Sequence, residues 1–168
     1  MVSDQLRNDV WLDWWDAARL TRYYDTVGDR LQRWHKALMV LILVCGTGSA
    51  TYLLDLLPPN VQPYLGLALA ALAIWAMVGN YARKAAIAHA ISIECAELED
   101  EWRGLMEVID SEDVDNTYVR SEMEKLQNRI DLVTGRAQVA GIGTNAKLNE
   151  KKAEEARRLL ESSYAVAA

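Results

Sequence analysis

His35 and His89 are the only histidines of the chain. With Glu94 and Cys95 they form the set best able to hold a metal ion. Their spacing matches no zinc pattern, and plain histidines at the ends of an apolar hairpin account for them equally well. Glu97, Glu99, Asp100 and Glu101 make an acidic run that could attract a cation, although charge runs on helices are commonly solvated faces. Gly141, Gly143 and Thr144 lie in a turn that opens a helix, with Lys147 and Lys151 just beyond. Amides at such a helix start suit a phosphate, yet a single Gly-x-Gly is a weak form of that signal. There is no Gly-x-Ser-x-Gly, Walker loop or zinc spacing. No catalytic constellation, cofactor or metal is therefore expected.

A second set points to ion passage. Thr47, Thr51 and Asp55 follow one another at steps of one helical turn and form a single stripe. They lie in a run whose centre, Cys45-Gly46-Thr47-Gly48-Ser49-Ala50-Thr51, is small and polar. Gly46 and Ala50 are one turn apart, as are Gly66 and Ala70 in a second run. Small residues let helices approach closely, and hydroxyls bond across the crossing. That pattern glues a hairpin together, or packs several hairpins around a wettable axis with Thr47, Thr51 and Asp55 as pore lining. A ring of aspartates at the mouth would favour cations.

The elements that must position these residues are two apolar runs, 37–57 and 64–82. Between Lys36 and Arg83 lie 46 residues without lysine or arginine, and Asp55 is their only charge. All three prolines, Pro58, Pro59 and Pro63, separate the runs. A helix crosses the hydrocarbon core with about 20 apolar residues, and soluble helices usually keep a polar face. The runs read as a transmembrane hairpin. Arg30, Arg33 and Lys36 precede it, Arg83 and Lys84 follow it, and the turn carries no positive charge, which places both termini in the cytoplasm. No signal peptide is expected, and Cys45 and Cys95 are too differently placed for a disulfide.

The flanks read as helices. Trp11, Trp14, Ala18, Tyr24, Val27, Leu31 and Trp34 form an amphipathic aromatic stripe, suited either to the inner leaflet or, given its balanced charges, to packing on another helix. After the second run, Ile87, Ile91, Cys95, Leu98, Trp102, Leu105 and Ile109 continue at helical spacing with no proline. The pattern predicts one helix of about 46 residues, near 70 Å long. The stripe must be covered by the N-terminal helix, by the C-terminal helices or by other subunits, and Ile91, Leu98, Trp102 and Leu105 are expected as oligomer contacts. Helical spacing resumes from Val119 to Val133, with Gly135 as a stop and a final helix over 146–162.

The chain is thus an all-α membrane protein in three parts. Residues 1–36 form an amphipathic helix, 37–82 a two-helix transmembrane hairpin, and 83–168 a cytoplasmic helical region. Its net charge of −6, with 12 basic and 17 acidic groups in residues 83–168, excludes general nucleic-acid binding.

The stripe from Trp11 to Trp34 running into Lys36, the Pro58 to Pro63 turn, and Arg83-Lys84 opening a cytoplasmic helix resemble the SLATT group of bacterial two-transmembrane effectors. The resemblance covers most of the chain and is architectural. It implies an oligomeric, signal-gated pore in the bacterial inner membrane that depolarises the cell in anti-phage defence. The trigger would be a nucleotide made by a partner enzyme. No motif position here identifies ligand residues. The alternatives are a non-conducting scaffold that recruits a partner through its cytoplasmic helices, and a phage holin. The topology is tested by thiol labelling of a Gln62→Cys variant lacking Cys45 and Cys95. Labelling from outside intact cells is expected, and labelling only after lysis would overturn it.

Overall fold

The computed structural model describes the backbone of residues 2–46, 58, 62–111 and 114–167, with the side chains at 45, 46, 62, 63, 65, 66, 69 and 163–167 outside that description. Five helices follow one another among these residues: α1 (Asp4–Gly46), α2 (Gln62–Gly79), α3 (Tyr81–Ser111), α4 (Asn116–Val139) and α5 (Ala146–Ala167). No strand occurs among the described residues, so the chain is all-α. Among them, no helix is long and apolar enough to cross a membrane. The chain divides into two compact units, one of Met1–Gly28 with Ala86–Ala168, the other of Asp29–Ala85.

In the first unit four helices share one core. Leu6, Val10, Trp14, Ala17 and Tyr24 of α1 recur at helical spacing and are buried. So are Ala88, Ile91, Cys95, Leu98, Trp102 and Leu105 of α3, Val119, Met123, Leu126 and Val133 of α4, and Leu148, Ala156 and Leu160 of α5. They join in a single apolar cluster, because each helix has one apolar stripe to remove from water. Polar pairs at its rim set the register. Arg7 and Arg22 of α1 reach Asp110 and Glu99 of α3 at 2.8 and 3.3 Å. Gln127 of α4 donates to Asp13 of α1 at 2.8 Å. The Trp15 indole N–H donates to the Ala153 carbonyl of α5 at 3.0 Å.

The stripe expected to meet other subunits is therefore covered within one chain. Trp102 is fully buried, and Ile91, Leu98 and Leu105 are nearly so. Helical spacing identifies an apolar face but not its partner, and here the N-terminal helix and α4 supply it. Glu99, Asp100 and Glu101 of the acidic run, and Glu94 before it, pair with basic groups. Glu94 takes both guanidinium ends of Arg136 at 2.8 and 2.6 Å, and Glu101 pairs with Arg129. Asp100 pairs with Arg103 along α3 at 2.7 Å. Such exposed pairs contribute about 1 kcal/mol or less each, so they fix geometry more than stability.

Three helix ends differ from expectation, the last helix reaching Ala167 and not residue 162. The pattern from residue 64 to 109 breaks at Asn80, which has φ 47°. Asparagine enters this left-handed region more readily than other side-chain-bearing residues, since it can satisfy itself locally. A Cβ at the preceding Gly79 would collide with the Tyr81 ring, which favours a glycine there. Gly135 does not end α4. The helix runs on to Val139 and stops where Gly141 takes φ 66°. Its amide donates to Gln138 and that of Ile142 to Ala137, at 2.9 and 3.0 Å, the glycine-terminated closure of a helix end. Ile142 is buried beside it.

Trp102 is the largest fully buried side chain, and its indole N–H meets no acceptor among the described residues. Its contribution is packing. Trp102→Ala is expected to destabilise the chain by roughly 3–5 kcal/mol, read by denaturant unfolding, with a loss independent of protein concentration. A loss that vanished at high concentration would return this residue to an intersubunit seam.

Candidate functional site

The Gly141 turn is built by its own residues. Tyr23 of α1 donates its hydroxyl to the Gly143 carbonyl at 3.3 Å and accepts the Asn145 amide at 2.9 Å. The Asn145 side chain in turn caps α5 by accepting the Leu148 amide at 3.0 Å, as an asparagine at a helix start does. Gly141 thus serves the helix closure and Gly143 the tyrosine. Thr144, Lys147 and Lys151 are exposed. The structure brings these five residues to one end of α5, but the amides that would hold a phosphate are partly engaged.

Cys95 is buried, and burial first, with the charges of Glu94, Asp16 and Glu99 after it, pushes its thiol up to about 12. Such a thiol stays protonated near neutral pH and is a weak nucleophile. Among the described residues no group of three His, Cys, Asp or Glu could hold a metal ion. Burial likewise raises Asp13, partly offset by the hydrogen bond from Gln127.

His89 has a packing role within the first unit. Its Nδ1 lies 3.7 Å from an Asp25 carboxylate oxygen. Its ring rests so close to Gly28 that a Cβ there would sit 2.8–2.9 Å from three ring atoms. Gly28 lets α1 and α3 approach where the apolar stripe of this unit ends.

The second unit is different in kind. On α1, Leu38 is buried and Leu31, His35 and Ile42 are half-covered, one stripe at helical spacing. On α2 the half-covered positions are Leu72, Ala73, Ala76 and Gly79. The remaining surfaces are apolar and open. Trp34, Met39, Val40, Leu41, Leu43 and Val44 of α1 are exposed, as are Tyr64, Leu67, Ile74, Trp75, Met77 and Val78 of α2, with Met77 and Val78 at 85% and 77%. Single exposed apolar residues are ordinary, but contiguous ones mark a surface that something covers. Ala70, expected in the helix crossing, is exposed. The covered face of α2 is the adjacent one, through Ala73 and Ala76. Thr47, Ala50, Thr51 and Asp55 lie outside the described residues, and the side chains of Gly46 and Gly66 do as well.

Composition signalled this surface, since the run is apolar on all sides. It did not reveal which of its faces is covered within the chain, because a helix without a polar side shows no period. Compared with known proteins, the chain matches no family model, no curated protein and no solved structure.

The Gly28 contact is open to a double-mutant test. Gly→Ala inside a helix ordinarily gains about 1 kcal/mol. Gly28→Ala alone is expected to forfeit that gain, and Gly28→Ala with His89→Ala to recover it relative to His89→Ala, because the ring in the way is gone. Equal gains in both backgrounds, by denaturant unfolding, would contradict the close approach.

Proposed function

We propose that the chain is a membrane-embedded pore or channel. Its hairpin unit lies in the lipid of the bacterial inner membrane, and its four-helix unit stays in the cytoplasm as the scaffold and gate. The observation that carries this reading is the open apolar surface of the hairpin unit. Twelve large apolar side chains of that unit are exposed among the described residues, and residues 37–54 and 56–82 hold no charged residue at all. Water would penalise such a surface by about 25 cal/mol for each Å², whereas acyl chains cover it at no such cost.

Conduction rests on the polar stripe of the first run. An aspartate turned towards acyl chains is costly, so Thr47, Thr51 and Asp55 belong at a helix-lined axis in an oligomer, with Asp55 at its mouth. Gly46, Ala50, Gly66 and Ala70 allow close approach between hairpins, and the exposure of Ala70 leaves it free for that role. The resemblance to two-transmembrane effectors supports a triggered pore that depolarises the cell in anti-phage defence. That resemblance also implies the trigger, a nucleotide signal made by a partner enzyme.

The purified chain, reconstituted in planar bilayers, is expected to conduct cations in discrete steps. Asp55→Asn is expected to lower the cation preference, and Thr51→Leu to abolish conductance. The same variants should relieve toxicity on expression. A chain that is stripped from membranes by alkaline carbonate refutes embedding. One that stays embedded, yet neither conducts nor kills, is a scaffold.

A further inference from the structure

The basic residues of the two units are used differently. In the four-helix unit ten of the thirteen lysines and arginines form an ion pair among the described residues. The hairpin unit holds five, Arg30, Arg33, Lys36, Arg83 and Lys84, and none has a carboxylate partner among the described residues. Arg33 has only a 3.4 Å contact from its Nε–H to the Asp29 carbonyl. All except Lys84 are exposed, and Lys84 is half-covered. The five sit where the chain enters and leaves this unit, bordering its apolar surface.

A protein with net charge −6 that pairs most of its other cations leaves these five without a carboxylate partner among the described residues, at one end of an apolar hairpin. Trp34 stands among them, 59% exposed. An indole favours the boundary between acyl chains and headgroups, having an apolar body and a polar N–H. Guanidinium groups match phosphate oxygens two bonds at a time, and ammonium groups add point charge. The set fits a row of anions lying at the edge of a hydrocarbon layer.

We infer that Arg30, Arg33, Lys36, Arg83 and Lys84 form a collar that binds the phosphate headgroups of anionic phospholipids, with Trp34 seated at the same depth. This rests on the embedding proposed above and extends it from a bilayer in general to one class of lipid. Basic groups held near an anionic surface add their attractions, so five acting together select for charged headgroups over zwitterionic ones.

The test uses the full chain in a neutral detergent, titrated with dansyl-labelled phosphatidylglycerol or phosphatidylcholine and read by energy transfer from tryptophan. Phosphatidylglycerol is expected to bind roughly tenfold tighter or better, and the preference should shrink as salt screens the charges. A variant with all five positions changed to glutamine should lose it. A charge-keeping variant, Arg30→Lys with Arg33→Lys and Arg83→Lys, should retain most of it, which separates lost charge from lost folding. Equal affinity for the two lipids would overturn the collar. So would a preference that persists in the glutamine variant, or its displacement by millimolar inorganic phosphate, which would make free phosphate the ligand. The carbonate wash decides embedding separately. A chain that resists it and shows no lipid preference breaks the collar alone.

Discussion

The seam that α1 lays along the other three helices is the contact on which the four-helix unit depends. Leu6, Val10, Trp14, Ala17 and Tyr24 occupy one face of that helix and are buried. The same helix reaches α3 through Arg22, α4 through Asp13 and α5 through Trp15. Without it the stripe from Ile91 to Leu105 would face water, and Trp102 with it. The turn before α5 would also lose the Tyr23 hydroxyl that both accepts and donates there. A segment from the start of the chain thus closes a core whose other members come from its second half.

α1 runs unbroken from Asp4 to Gly46, so one helix supplies both the segment that closes the four-helix core and the first described residues of the apolar unit. On the other side the helix is broken: Asn80, a left-handed residue, separates α2 from α3.

Much of this was legible from the residues. The apolar faces of α1, α3 and α4 follow from spacing alone, because a stripe every three or four residues has one physical solution. The partner of each face was not legible. Ile91, Leu98, Trp102 and Leu105 suit a second subunit as well as a second helix, and only chain topology decides between them. The break at Asn80 carries no proline to announce it, and asparagine is common in helices. Gly135 looked like a stop, but its surroundings are open, and the closing role falls to Gly141, whose amide and neighbours engage the preceding turn. The acidic run of Glu97, Glu99, Asp100 and Glu101 resembled a cation site because two of its arginine partners, Arg22 on Glu99 and Arg129 on Glu101, are far away in sequence. A run without a polar side shows no period, so the exposed Ala70 could not be told from the half-covered Ala73.

The central claim is that the open surface of the hairpin unit contacts lipid while that of the four-helix unit contacts water. Spin labels report this directly in reconstituted vesicles, through collisions with oxygen, which concentrates in hydrocarbon, and with a nickel chelate, which stays in water. A label at Met77 should collide with oxygen and be shielded from nickel, and one at Lys125 should show the reverse. Nickel collisions at Met77 as frequent as those at Lys125 would place the hairpin in water and contradict the account.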